Sequence, residues 1–233
     1  MLKWNGLGQG LLDLIFPRSC AGCSRKLYSY ENAICRFCQS DLPRCRFTDP
    51  NDNLMARQFW GRFDATSMLA FCFYSKNYSF STMLYQLKYK HSPEVGVELG
   101  KLFARDQLPL LNALGIDILV PVPVHKSKRR IRGYNQSEEI AKGMSEILHV
   151  PVELGLLKRA RGGKSQTTKN RWARAKSIST AFYTEGSVAK ACYHVALVDD
   201  VFTTGATAEA CCKELAKIKD LKISVLCLAF AWG

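Results

Sequence analysis

The run Val195-Ala-Leu-Val-Asp-Asp-Val-Phe-Thr-Thr-Gly-Ala-Thr207 constrains the fold more than any other part of the chain. Val195 to Val198 are strand formers with no charge among them, as expected of a strand buried on both faces of a parallel sheet. Such a strand delivers Asp199 and Asp200 to the carboxyl edge of the sheet. Beyond them Val201, Phe202, Thr203, Thr204, Gly205, Ala206 and Thr207 make a small, hydroxyl-rich turn, and a helical pattern begins near Ala206. Exposed amide groups and the positive end of a helix favour a phosphate there. An acid pair ahead of an anion cradle suits a phosphorylated sugar. The turn takes the phosphate, the carboxylates take ribose hydroxyls, and a Mg²⁺ held partly by substrate oxygens needs few protein ligands. In the alternative, the aspartates cap the following loop and the threonines satisfy turn backbone. Strand, acid pair, Thr-Gly turn and helix in this order favour the ligand site.

With 233 residues and 47% hydrophobic content, the chain holds one substantial domain plus a small module. No apolar run approaches the roughly 18 to 20 residues that cross a bilayer, and Leu11–Phe16 is short and lacks signal-peptide flanks. The expectation is a cytoplasmic protein whose ten cysteines are reduced, so that paired spacings read as metal ligands. Cys20-Ala-Gly-Cys23 and Cys35-Arg-Phe-Cys38, with eleven residues between the pairs, suit the two knuckles of a tetrahedral zinc ribbon. With all four positions filled by thiolates, a Zn²⁺ there is structural. Cys45 is a candidate to exchange with one ligand, whereas Cys72 and Cys227 lie in apolar runs as small core residues. Arg18, Arg25, Lys26 and Arg36 surround the thiolates and either balance them or touch DNA. Tyr28, Tyr30, Phe37 and Phe47 either stack bases or form the module's core.

The formal charge of +13 is unevenly spread. Between Pro121 and Glu185 there are fourteen Lys/Arg against five Glu and no Asp, a local +9. That field draws a highly anionic small substrate or a nucleic acid backbone, and charge alone does not separate them. The polar stretch Thr48–Gly61 reads as a linker, giving a module over 1–50, a linker over 51–62 and a larger domain over 63–233. In that domain strands are expected over 67–74, 116–124, 152–156, 195–198 and 223–230, and helices over 81–89, 94–105, 135–148 and 206–217. Asn135 and Glu138 stand at capping-box spacing. Strands alternating with helices predict an α/β fold with a parallel sheet flanked by helices.

The 195–207 run resembles the phosphoribosyl pyrophosphate signature of type I phosphoribosyltransferases. With Pro121-Val-Pro-Val-His-Lys126, Arg132-Gly-Tyr-Asn-Gln-Ser137 and the cysteine module, nearly the whole chain resembles the ComF (ComFC) family, associated with natural competence and DNA uptake. The resemblance implies a donor, phosphoribosyl pyrophosphate, bound with Mg²⁺ and attacked at C1 of the ribose while pyrophosphate leaves. Asp199 and Asp200 match the positions that contact the ribose hydroxyls, and Val201–Thr207 the 5′-phosphate loop. The turn after Val122 corresponds to the pyrophosphate loop, followed by Lys126, Lys128, Arg129, Arg130 and Arg132, of which Lys126 and Arg132 are the chosen pyrophosphate contacts. His125 is assigned packing or hydrogen bonding instead of catalysis. Arg159–Ser179 resembles the hood that closes over the donor, with Gly162-Gly163 as a hinge. There Gln166 and Arg174 match the family pattern, while Lys169 and Ser177 stand where Leu and Asn are usual.

The implied partners are phosphoribosyl pyrophosphate, single-stranded DNA and competence proteins such as a DNA translocase. Three functions compete: a phosphoribosyltransferase-like protein of DNA uptake with an open acceptor, a non-catalytic DNA-binding accessory that senses the ligand, and nucleotide salvage. Salvage has no need of a zinc ribbon.

Overall fold

A computed structural model of the chain describes residues 17–76, 78–160, 181–185 and 193–231. Strands β1 (Ser67–Phe73), β2 (Ile118–Pro121), β5 (His194–Phe202) and β6 (Lys222–Phe230) form a four-stranded sheet in the order β1-β6-β5-β2. Every pairing in it is parallel. Strands β3 (Leu157–Arg159) and β4 (Phe182–Thr184) make a separate antiparallel pair. The predicted α/β fold with a parallel sheet flanked by helices is therefore the fold observed.

Alternation along β5 shows why the run had to be apolar on both faces. Ala196 and Val198 enter one core with Leu226 and Leu228 of β6, and Val195 and Leu197 enter the other with Val225 and Cys227. Helices α3 (Ser79–Tyr89), α4 (Pro93–Asp106) and α7 (Gln136–Leu148) cover the first face, supplying Met83, Leu87, Leu99, Phe103, Ile140 and Met144. Helices α2 (Leu54–Arg57) and α8 (Ala206–Leu215) cover the second. Between α4 and α7 the backbones touch: a Cβ on Gly100 would lie 2.2 Å from the Ile140 carbonyl oxygen, and one on Gly143 2.0 Å from that of Val97.

Several elements differ from expectation for identifiable reasons. Strand β2 stops at Pro121, well short of residue 124, because Pro121 and Pro123 offer no N–H to a ladder. The expected strand over 152–156 is a single parallel bridge, Val152 to Leu119, beyond which the chain turns to form β3. The basic segment after Val124 is no loop; it folds as α6 (Lys126–Arg132), where His125 Nδ1 accepts the Ser127 amide and Gly133, at φ 83°, ends the helix. Leu108–Leu114 forms α5, which the sequence reading passed over. Within the polar 48–61 stretch Asn53 caps α2, its side-chain oxygen accepting the Met55 and Ala56 amides, and Met55 is fully buried.

The cysteine module holds α1 (Arg36–Ser40) and a tight turn closed by the Cys20 N–H to Arg25 carbonyl bond of 2.8 Å. Leu27, Ala33, Ile34 and Leu42 are buried in the same core as Phe80 and Met83 of α3. Among the described residues no helix is long and apolar enough to cross a membrane.

Candidate functional site

The site follows from unequal strand lengths. The last backbone link between β2 and β5 is the Val122 N–H to the Val198 carbonyl, whereas β5 stays paired with β6 as far as Phe202 opposite Phe230. From Asp199 onward β5 has a bare flank, and a cleft of about 280 Å³ opens beside it. The acid pair lies inside the strand, not beyond its end as expected, because Val201 and Phe202 continue the ladder with β6.

Asp199 Oδ1 accepts the Asp200 N–H at 2.8 Å and the Ser137 hydroxyl at 3.2 Å. Burial, reinforced by the neighbouring Asp200 charge, pushes the Asp199 carboxyl up to about 7, against the opposing pull of the Asp200 amide, Lys88 and Ser137. Asp200 instead pairs with Lys88 Nζ at 3.0 Å. The two carboxylates thus differ: burial holds Asp199 well above the ordinary carboxylate range, and Asp200 is paired with a lysine. A divalent cation with oxygen-rich ligands fits this donor set, since it would meet both carboxylates in a cleft that already disfavours their bare charge.

The facing wall comes from the segment around α6 and α7. Asn135 caps α7 through the Ser137 amide and donates to the Val122 carbonyl at 3.0 Å, fixing the start of α7 to the end of β2. Glu138 meets the Asn135 side-chain amide at 3.3 Å, not the backbone N–H that a capping box would use, and it binds Arg129 through both oxygens, at 2.9 and 3.1 Å. Arg132 donates to Gln136 Oε1 at 2.8 Å, which leaves Gln136 Nε2 buried without a hydrogen-bond partner among the described residues.

Of the sequence candidates, Asp199, Asp200, Val201, Thr207 and Arg132 line this cleft. Lys128 lines it too, whereas the chosen Lys126 is exposed at the start of α6 and is absent from the described wall. Thr203 and Thr204 are exposed, and Phe202 is buried against Phe59. Gly205 takes φ 73°, and a Cβ there would lie 2.5 Å from the Phe202 ring. That turn is therefore reserved for glycine, and it aims the amides that open α8. Gln166 and Arg174, with Lys169, Ser177 and the 162–163 hinge, lie outside the described residues. The sequence reading missed Lys88, Gln136 and Ser137. Gln136 and Ser137 stood in the quoted motif without a role, and Lys88 carried no signal beyond a cation at a helix end.

In the module the sulfurs of Cys20, Cys23, Cys35 and Cys38 all lie within 4.8 Å of one another. The Cys35 and Gly22 amides donate to Cys20 Sγ at 3.2 and 3.4 Å. Burial raises the Cys20 thiol, but amides of Cys35, Cys23 and Gly22 outweigh it and bring it down to about 7. Four convergent thiols, one already held toward its thiolate, fit a structural metal ion. Cys45 is not among them: it is buried in the sheet's second core, where burial pushes it up to about 12. Glu31 organises the chain between knuckles, its carboxylate accepting the Tyr28 and Arg36 amides at 2.9 and 2.8 Å. Cys72 and Cys227 are fully buried, as expected of core residues.

No family model matches the chain. It is 28% identical over 151 residues to DNA utilization protein YhgH of Escherichia coli (strain K12), a match covering 64% of this chain and 66% of that protein. The chain thus spans just under two thirds of that relative's length. The protein of the same name from Salmonella typhi is 26% identical over the same coverage. Competence protein F of Haemophilus influenzae is 33% identical over 116 residues, 49% of this chain and 51% of that protein. The resemblance to the ComF family read from the sequence is thus met by relatives whose names are DNA utilization protein YhgH and Competence protein F. The names YhgH and Competence protein F agree with the expected setting of DNA uptake.

Proposed function

We propose that this chain is a phosphoribosyltransferase-like protein that binds Mg²⁺ with phosphoribosyl pyrophosphate and handles single-stranded DNA in competence. The observation that carries the reading is the convergence of Asp199, Asp200, Ser137 and Lys88 at the bare flank of β5, one turn ahead of α8. Asp199 and Asp200 would hold the ribose hydroxyls and the metal, and the Thr203–Thr207 turn would take the 5′-phosphate. Arg132 and Lys128 face the leaving pyrophosphate from the opposite wall. The bound metal supplies charge neutralisation of the pyrophosphate. The protein's own part is electrostatic, with cations fixed in advance where negative charge develops.

The four-cysteine cluster holds Zn²⁺ in this reading, and residues 1–50 act as a functional module even though Leu27, Ala33, Ile34 and Leu42 join the main core. An exposed surface on that module suits bases: the Tyr28 and Tyr30 rings stack at 5.5 Å, Arg36 lies over Tyr30 and Arg25 over Phe37. Such aromatic and guanidinium faces hold single-stranded bases at about 1–3 kcal/mol each. That surface also favours a second reading, a non-catalytic DNA-binding accessory that uses the donor as a signal.

Calorimetry with Mg²⁺ and phosphoribosyl pyrophosphate tests the donor site. Asp199→Asn should weaken donor binding by about two orders of magnitude and leave single-stranded DNA binding unchanged. Equal loss of both would defeat the picture of separate sites. Pyrophosphate release, assayed across bases and amines, separates the two readings, since no release with any acceptor selects the accessory.

A further inference from the structure

A second pocket of about 280 Å³ lies between the end of α3 and helix α6, walled by Lys88, Tyr89, His91, Lys128, Ile131 and Arg132. We propose that it binds one nucleotide unit, with the base against Tyr89 and Ile131 and the phosphate among Lys88, Lys128 and Arg132. Its volume falls near the lower end of small-molecule sites, about 300–1,000 Å³. Two bonds hold its shape: His91 Nδ1 donates to the Arg132 carbonyl at 2.9 Å, and the Tyr134 hydroxyl donates to the Leu87 carbonyl at 2.6 Å. The end of α3 is thereby fastened to the end of α6 on both sides of the pocket, which exists before any ligand arrives.

The wall chemistry selects the ligand. Tyr89 is 59% exposed and Ile131 74% exposed, so a flat apolar surface faces water in a concave site. The Arg132 guanidinium lies 5.4 Å from the Tyr89 ring centroid, leaving an aromatic and guanidinium pair of the kind that stacks with bases. Among the described lining residues there are three Lys/Arg cations and no carboxylate. Inorganic phosphate alone would leave Tyr89 and Ile131 wet, and an uncharged apolar ligand would desolvate the cations without compensation. A nucleotide satisfies both halves. Lys88, Tyr89, Lys128 and Arg132 also line the acid-pair cleft, so the pocket opens into it.

The inference deepens the donor reading by placing a nucleotide beside the donor's seat, and it rests on that reading only for the purpose of the contact. Binding itself can be measured without donor. The full chain is titrated with dTMP, and by fluorescence anisotropy with a labelled single-stranded oligothymidylate. Ile131 is exposed and lines this pocket alone, so Ile131→Gln should fold normally, weaken dTMP or the strand at least tenfold, and leave donor binding within twofold. Tyr89→Ala should lose about tenfold in affinity, with Tyr89→Phe restoring it. Binding of the strand but not dTMP, with the same variant sensitivity, supports the site and assigns a strand as its source; equal binding of both assigns free nucleotides as well. Unchanged affinity in both Ile131→Gln and Tyr89→Ala overturns the proposal, as does inorganic phosphate competing as strongly as dTMP. Failure of the wild-type protein to bind phosphoribosyl pyrophosphate would sink the donor reading and leave this one standing.

Discussion

The two ends of strand β5 carry polar groups of opposite character. At the amino end His194 donates from Nδ1 to the Leu114 carbonyl at 2.9 Å and accepts at Nε2 from Ser224, 2.7 Å away, which also meets Ser67 at 2.6 Å. Every ring nitrogen there has a protein partner, and the network closes on itself. At the carboxyl end Asp199 is crowded by Asp200, Lys88 is borrowed to hold that second charge, and Gln136 keeps an amide nitrogen with no partner among the described residues. The difference teaches where to seek function in this sheet. A polar cluster satisfied internally holds strands together, whereas one left in conflict is poised for a ligand.

The largest expected effect tests the amino end. His194→Ala removes a buried ring and strands the Leu114 carbonyl and Ser224, so unfolding free energy should fall by about 3 kcal/mol in denaturant titrations. Donor affinity should not change; a large loss of it would break the division between the ends.

Next comes the turn. Gly205→Ala forces a Cβ toward Phe202 in a left-handed backbone and should cost about 2 kcal/mol, together with donor binding.

The pH dependence sharpens the contrast, because the ends titrate in opposite senses. His194 is held below its ordinary value of 6.5, chiefly by burial, so the unfolded chain takes the proton more readily and stability is lost as pH falls below about 6.5. Asp199 is raised from 3.8 to about 7, so the folded chain takes the proton more readily, and stability is lost as pH rises from about 4 to about 7. One such proton contributes at most about 1.4 kcal/mol per pH unit. Thermal melts of Asp199→Asn should therefore show greater stability than wild type at pH 8 and parity near pH 4. A less stable variant at pH 8 would mean that Asp199 is satisfied, and the contrast would fail.

The smallest effect is that of Lys88→Met, which leaves Asp200 without its cation and should lower stability by about 1 kcal/mol, or roughly 2–4 °C in a melt.

Legibility followed sequence distance. The cysteine pairs needed only their spacing, because each knuckle is closed by backbone bonds within a few residues, such as the Ser24 amide to the Cys20 carbonyl. Strand β5 and its turn were legible for the same reason, as a local order of apolar run, acid pair, glycine and helix. Lys88 was not legible, since it meets Asp200 across more than a hundred residues through the packing of α3 on the sheet. Helix α6 was misread as a basic loop because its seven residues bury none of themselves; its form rests on the His125 and Gly133 caps.

By itself, then, the sequence determined that a parallel sheet would carry Asp199 and Asp200 to its carboxyl end, and that four cysteines would form a metal-binding set. Local backbone preference and hydrophobic patterning act over a few residues and are written in order along the chain. Only the tertiary structure decided that β2 ends early enough to bare the flank of β5, that Lys88 claims Asp200, and that burial raises the Asp199 carboxyl. Charge and desolvation depend on neighbours in space, and those neighbours were fixed by how the helices pack.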